Sequence, residues 1–393
     1  MTNPLALPDL PPRKPPAAAQ WNWITGELDV LPEQLELPLP PLEDVLLPPD
    51  DTVTLLATDT GSQLFVSGFG LFLGKKSERL VVKKGKETCA QLPFLKLQEV
   101  VIGSHGVSLS SDLLDELCSR GIRLAFVRSS GQPVALLTSP MLTATVETRR
   151  AQLAAYHTPL GADFCRWIVA GKIHNQEKLL LYFSKSRDQD RAGGLRHAAA
   201  ALRRLRRDAL AVTGPDAPSV RPTLMGLEGT SGRLYWQALG DLLPAHLGFD
   251  GRSHQGATDP VNAMLNYGYG ILYSHVWGAV MNAGLEPFAG FLHVDRSGKP
   301  SLVLDLTEEF RQPVVDRTIF AWLHKRGAPA LAGGLLDGES RESVAARVIQ
   351  RLIASEPHRG KTHQVRSIIQ MQARAAAGAL RGQRPYRPFP FKW

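Results

Sequence analysis

"SLVLDLTEEFR", Ser301 to Arg311, opens with four residues suited to a buried strand and closes with the acids and arginine of a solvated helical turn. If Ser301 caps a helix here, Leu302, Val303 and Leu306 pack inward, while Asp305 and Glu308, three apart, lie on one face. The apolar half is then the first turn of a buried helix that carries two carboxylates into a shielded place. The segments around it agree with that reading. "VETRRAQLAAYHTP", "GADFCRWIVAGKIHNQEKLLLYFSKS", "GLRHAAAALRRLRRDALAV", "SGRLYWQALGDLLP", "DPVNAMLNYGYGILYSHVWGAVMNAG" and "RESVAARVIQRLIAS" all have helical length and apolar spacing. After about Thr143 the β signals stop, and residues 144–393 read as one helical domain with a basic tail.

Upstream the pattern differs. "TVTLLATD", "SQLFVSGFGLFL", "RLVVKKG" and "PFLKLQEVVIGS" are short β-like runs bounded by Gly, Asp, Ser or Lys. "SSDLLDELCSRG" is a helix with a serine N-cap and Gly121 at its end, and "IRLAFV" and "PVALLT" flank the turn "SSGQ" as a hairpin. Residues 51–143 therefore form a small, mostly β domain. The expected fold class is α+β: a small N-terminal mostly-β domain followed by a larger all-helical, metal-binding domain.

Residues 1–50 contain twelve prolines, a density that argues against helix or ladder pairing and for extended chain, a linker or tail. Only "QWNWITGELDVL" within it has apolar character enough to dock. This leader carries eight acids against two bases, while the whole chain of 393 residues is formally +8. The basic excess lies later, in "RHAAAALRRLRRDALA" and from Arg359 onward, where no acid occurs. A polyanionic partner would bind there. Cys89, Cys118 and Cys165 lack metal-ligand spacing and argue against a disulfide framework, and no apolar run approaches a bilayer span. A cytoplasmic protein without a membrane segment is expected.

Three further pieces carry chemistry. Glu228 in "GLEGTSGR" sits where an apolar run gives way to glycine before an amphipathic helix, so it is either a first-turn carboxylate facing the helix dipole or a ligand. In "DPVNAMLNYGYGILYSHVW", Asp259 and Pro260 open a helix on which Asn262, Asn266, Tyr269 and Tyr273 make one polar stripe. That stripe faces an internal network or a cleft. His293 ends "AGFLH". An isolated D-x-x-E is ordinarily solvated, but Asp305 and Glu308 together with Glu228 and His293 make three carboxylates and an imidazole, a set suited to Mg2+ or Mn2+. A divalent ion beside basic helices points to phosphodiester chemistry.

"GLEG…RLYW", "DPVNAMLNYGYGILY", "AGLEPFAGFLH", "PSLVLDLTEEFRQPVVDR" and "YRPFPFKW", in this order, resemble the CRISPR-associated integrase, the first-named Cas protein of the adaptation module. "RRAQ" from Arg149 and "KIHNQ" from Lys172 fit as well. The resemblance implies a homodimer joined through the β domain, flanking a small partner Cas protein. It implies that the assembly joins the 3′-hydroxyl ends of short double-stranded DNA, the protospacer, to the repeats of a CRISPR array by metal-dependent transesterification. It implies Glu228, His293 and Glu308 as metal ligands and Asp305 as an accessory acid near the metal. "TSGR" after the glutamate and Glu rather than Asp at position 308 are departures that leave this set intact. Arg252, Lys172, Asn175 and the cluster Arg203, Arg204, Arg206 and Arg207 are candidate DNA contacts, the cluster reading equally as a solvated helix face. His254, His275 and His324 read as packing or surface histidines. The alternatives are a DNA-binding scaffold without catalysis and a metal nuclease acting on branched DNA. The leader is a remnant linker to a fused upstream domain, a tether, or an inert tail.

Overall fold

The computed structural model describes residues 19–22, 27–30, 53–58, 61–128, 133–137, 146–185, 189–253, 258–326, 329, 331–332 and 335–391. The chain divides into two compact units, Met1–Glu43 and Asp44–Trp393. In the first, β1 (Ala19–Asn22) and β2 (Glu27–Val30) pair antiparallel, Ala19 opposite Val30 and Asn22 opposite Glu27. This corrects the expectation that the leader makes no ladder. Both strands fall in the window between Pro16 and Pro32, which contains no proline, so every residue there keeps the N–H a ladder needs.

The second unit begins with β3 (Val53–Thr58), β4 (Gly61–Val66), β5 (Leu71–Lys76), β6 (Arg79–Lys84), β7 (Glu87–Pro93), β8 (Leu97–Ile102), β9 (Ser108–Leu109), helix α1 (Ser111–Ser119), β10 (Arg123–Val127) and β11 (Pro133–Leu137). They form a five-stranded sheet in the order β11-β10-β8-β4-β3 and a four-stranded sheet in the order β7-β6-β5-β9. Central β8 is parallel to both neighbours and buries Val100 and Ile102 in a core shared with Leu64, Leu73, Leu80 and Leu113. Ser110 caps α1 by accepting from Leu113 N, and Gly121 adopts the left-handed conformation that ends it. The hairpin expected at 122–138 is β10–β11. The boundary expected near residue 143 falls among residues outside those described.

The helices are α2 (Val146–Ala155), α3 (Pro159–Ser184), α4 (Gln189–Ala211), α5 (Ala217–Gly240), α6 (Pro260–Asn282), α7 (Ser301–Thr307), α8 (Arg317–Arg326), α9 (Gly338–Ile353) and α10 (Val365–Leu380), with a π-helical segment at Arg311–Asp316 before α8. They surround a separate core of α3, α5, α6, α9 and α10 side chains. α6 starts as expected, Asp259 accepting from Asn262 N with Pro260 in the first turn. Two small hairpins interrupt the helical half, contrary to the sequence reading: β12 (Leu331–Ala332) with β13 (Leu335–Leu336), and β14 (Ser355–His358) with β15 (Lys361–Gln364). The turn of the latter is Arg359-Gly360, both at positive φ, the geometry of a type I′ hairpin without its usual Asn-Gly signal.

The two cores meet across α6. Glu99 of β8, 1% exposed, accepts from Gln63 at 2.9 Å, lies 3.6 Å from Arg123 and 3.8 Å from His275 of α6. Arg123 lies against Gly278, where a Cβ would push its guanidinium aside. His275 is thus the packing histidine the sequence suggests.

Candidate active site

Two expectations about local structure change on the way to the site. Glu228 is not at a helix start: Asp216 and Ser219 form a capping box that opens α5, and the helix runs through Pro222 and Gly226, residues that read as breakers, to place Glu228 at its middle. Ser301 is not the cap of α7 either. Pro300 stands at that position, and Ser301 Oγ donates to Val294 O at 3.0 Å, closing the 294–300 turn.

Glu308 follows α7 directly and its side chain is 5% exposed. Arg311 Nη1 lies 3.0 Å from one of its oxygens and Lys172 Nζ 2.6 Å from the other. Burial alone would raise this carboxyl; the charges of Arg311, Lys172 and His293 outweigh burial and hold it well below the usual carboxylate range. Lys172, on α3, also contacts Glu228 of α5, so one ammonium bridges two acids from distant parts of the chain.

Asp305 has a different task. Its carboxylate accepts from the backbone N–H groups of Phe291 (2.7 Å), Leu292 (3.1 Å) and His293 (2.9 Å), and its Oδ1 lies 2.7 Å from His293 Nδ1. These four donors occupy Asp305, so it orients the imidazole rather than reaching the cleft. Burial disfavours the charged imidazole, but the Asp305 hydrogen bond overrides this and pushes its pKa up. A proton held on Nδ1 leaves Nε2 with the free lone pair. On the other side of the loop, Arg221 donates to Phe291 O at 2.9 and 3.0 Å. At Gly290 a Cβ would lie 2.5 Å from Ser301 Cβ, so only glycine lets the loop close on α7.

Glu228, His293 and Glu308 line one cleft of about 1020 Å³, with Lys172, Arg252 and Arg311. Among the described residues no three acid, histidine or cysteine side chains stand in metal-holding geometry, and Lys172 bridges the two glutamates. The donor set nevertheless fits a hard divalent ion: two carboxylates, one imidazole nitrogen, and a buried Glu308 Oε2 that makes no well-directed hydrogen bond despite its ion pair with Lys172.

The polar stripe of α6 both forms a network and borders a cleft. Arg252 donates to Asn262 Oδ1 at 2.9 Å and Asn266 Oδ1 at 2.5 Å, and stands 5.1 Å from the ring centre of Tyr269. Arg311 covers that ring at 4.2 Å. The Tyr269 hydroxyl donates to Asp316, whose other oxygen accepts from Tyr235 at 2.7 Å. Arg252 and Arg311 also line a second groove of about 1090 Å³ that includes Arg149, Arg296, Lys299, Tyr273, Trp277 and Phe288.

The remaining DNA candidates separate. Asn175 is fully buried, donating to Glu309 O (2.7 Å) and Phe389 O (3.2 Å) and accepting from Phe391 N (3.2 Å). A side chain so enclosed cannot touch DNA, and that expectation is withdrawn. Lys172 belongs to the acid cluster rather than to a surface. Arg203 pairs with buried Glu177 (2.8 Å) and Arg206 with His174 (2.7 Å), joining α4 to α3, while Arg204 and Arg207 are exposed. His254 and the His324 side chain lie outside the described residues. Sequence reading missed Arg221, Asp316 and Glu309; it also missed Arg311, although its spacing of three from Glu308 marks an ion pair.

Comparison with known proteins fits this architecture. A casposase bound to integration product superimposes with a TM-score of 0.70 at 18% identity, covering 84% of this chain and 94% of that one. A chain of a Cas6-RT-Cas1–Cas2 complex gives 0.69 at 21% identity, covering 86% of this chain and 37% of that one. The fold is therefore the one shared by casposases and Cas1 proteins. The family model described as CRISPR associated protein Cas1 matches residues 64–346. CRISPR-associated endonuclease Cas1 1 of Archaeoglobus fulgidus is 34% identical over 348 residues, 84% of this chain and all of the relative. The chain belongs to the Cas1 family.

Proposed function

We propose that the protein is a divalent-metal-dependent DNA integrase of CRISPR adaptation, with Glu228, His293 and Glu308 holding Mg2+ or Mn2+. The observation that carries this reading is the convergence of those three side chains, from α5, the 291–293 loop and the end of α7, in one cleft walled by Arg252 and Arg311. A bound ion would supply charge neutralisation at a phosphodiester and activation of the attacking oxygen. The protein's own part is positional. Asp305 and Arg221 fix the loop that presents His293. Arg252 and Arg311, both held against the ring of Tyr269, place positive charge where the non-bridging oxygens of a phosphate gain charge during in-line displacement. They line the aromatic, basic groove too, which gives a strand a continuous path to the cleft.

In this reading a terminal 3′ hydroxyl of a short duplex attacks a phosphodiester at a repeat boundary, and the displaced 3′ oxygen leaves with a proton. The β half is the dimer surface, residues 144 onward are the catalytic domain, and a small partner protein completes the assembly; the Cas1–Cas2 complex found by structural likeness supports such a partner. The test is to incubate the protein and partner with a duplex bearing 3′ hydroxyls, a supercoiled plasmid carrying the cognate array, and Mn2+. Covalent joining at repeat ends is expected, and Glu228→Ala or His293→Ala should abolish it. Plasmid cleavage without joining would mark a nuclease; DNA binding without either would mark a scaffold.

A further inference from the structure

Lys172 is the one part of the cleft whose position conflicts with the role given to its neighbours. Its side chain is 9% exposed, it rises from the middle of the long buried helix α3, and its ammonium contacts Glu228 and lies 2.6 Å from Glu308. Those two acids are the carboxylates proposed to hold the metal. Without a counter-charge they would repel each other across a poorly solvated gap. The ammonium relieves that repulsion, but with a single charge where the divalent ion supplies two.

An ammonium and a divalent ion cannot both occupy the space between the same carboxylates. Lys172 cannot retreat by moving its helix, because Asn175, one turn further along α3, is tied to Glu309 and Phe389. It can move only by swinging its flexible four-carbon stem. The cleft it would swing into already holds Arg233, Arg252 and Arg311, so the released ammonium meets like charge. An anion entering the cleft relieves this, and the anion that fits the proposed chemistry is a backbone phosphate.

We propose that Lys172 is an internal placeholder for the divalent cation: it competes with the ion for Glu228 and Glu308, and when displaced it becomes a phosphate-binding group. Metal and DNA phosphate then favour each other's binding reciprocally, since each removes the cost that the other imposes on Lys172. This rests on the metal site proposed above and goes beyond it in assigning a competitor within the protein.

The sign of one affinity change distinguishes this from a structural role. Mn2+ binding to the full-length protein is measured by titration calorimetry for wild type, Lys172→Met and Lys172→Arg. Lys172→Met is expected to bind Mn2+ more tightly, by about tenfold, and to gain more in melting temperature from Mn2+ than wild type does. Lys172→Arg, which keeps the cation, should stay near wild type. Equal or weaker binding by Lys172→Met overturns the proposal, because a residue that merely organises the site would weaken the metal when removed. A second measurement needs no variant. Wild-type lysines are labelled with an amine-reactive reagent with and without Mg2+, and the Lys172 peptide is quantified by mass spectrometry. Labelling should rise with Mg2+ and fall again when a short duplex is added; labelling unmoved by Mg2+ overturns the proposal. If wild type binds no Mn2+ at all, the metal site itself fails and this inference with it.

Discussion

Glu308 and Glu309 are peptide neighbours with the same side chain, both buried, and they do opposite work. Glu308 faces the cleft among Lys172, Arg311 and His293, and its carboxyl is held well below the ordinary range. Glu309 faces the core, where burial raises its carboxyl to about 7 despite three neutral donors: Phe389 N (2.8 Å), the Tyr386 hydroxyl (2.8 Å) and Gln372 Nε2 (3.2 Å). The difference teaches that a buried acid is defined by what compensates it. Cations make Glu308 a charge that another cation can claim, whereas neutral donors make Glu309 a staple. That staple fastens the C-terminal segment to the backbone from which Glu308 projects, and Asn175 fastens the same segment to the helix that carries Lys172.

Substitution should break the comparison cleanly. Glu308→Ala, like Glu228→Ala, is expected to cut DNA joining at least about a hundredfold while leaving a cooperative melt, as followed by product gels and circular dichroism. Glu309→Ala should act on the fold first: it orphans three buried donors and should lower unfolding free energy by about 3 kcal/mol, measured by denaturant titration. Asn175→Ala, on the same core side, should cost about 2 kcal/mol without changing the salt dependence of DNA binding.

The two sides of this divide are unequally legible in the sequence. Periodicity and caps exposed α6 from Asp259 onward, and residue types grouped Glu228, His293, Asp305 and Glu308 as a set suited to a divalent ion; the resemblance to the integrase family is what singled out Glu228, His293 and Glu308 as ligands. What stayed hidden depended on contacts made over long separations. Nothing local distinguishes Glu309, which meets Tyr386 77 positions later, from an acid in water. Asn175 sits beside Lys172 and Gln176 in a polar run, yet its partners are backbone groups of Glu309, Phe389 and Phe391, more than 130 positions later. Glu228 reads as a helix start because an apolar run gives way there to Gly229, whereas α5 opens at the Asp216 cap, twelve residues earlier, and continues through Pro222. Charge repeated along α4 could not show that Arg203 and Arg206 are paired with α3 while Arg204 and Arg207 face solvent.

Proton linkage sharpens the comparison further. The folded pKa of Glu309 lies above the ordinary carboxyl value, so between about pH 4.5 and 7 the native state binds more protons than the unfolded state. Its contribution to stability is therefore greatest at the acid end of that window and declines as pH rises, by at most about 1.4 kcal/mol per pH unit. Glu308, with its pKa lowered, contributes in the opposite sense and loses its contribution progressively as pH falls below about 4.5. Replacing Glu309 with Gln should flatten the decline between pH 4.5 and 7, seen in denaturation midpoints across that range; an unchanged slope would mean that Glu309 does not titrate there. The smallest effect belongs to the exposed face of α4. Arg204→Ala with Arg207→Ala should leave stability alone and reduce the salt slope of DNA binding by about one per lost phosphate contact, and no change in slope would return both residues to a merely solvated surface.

The proposed function requires Glu228, His293 and Glu308 to hold one divalent cation within the arginine-walled cleft. Anomalous diffraction from a crystal soaked in Mn2+ tests it most directly. One peak is expected among Glu228, His293 Nε2 and Glu308, with Asp305 still on the 291–293 backbone and Lys172 moved away. A peak at another place, or a fully soaked crystal with none between these three side chains, would contradict it.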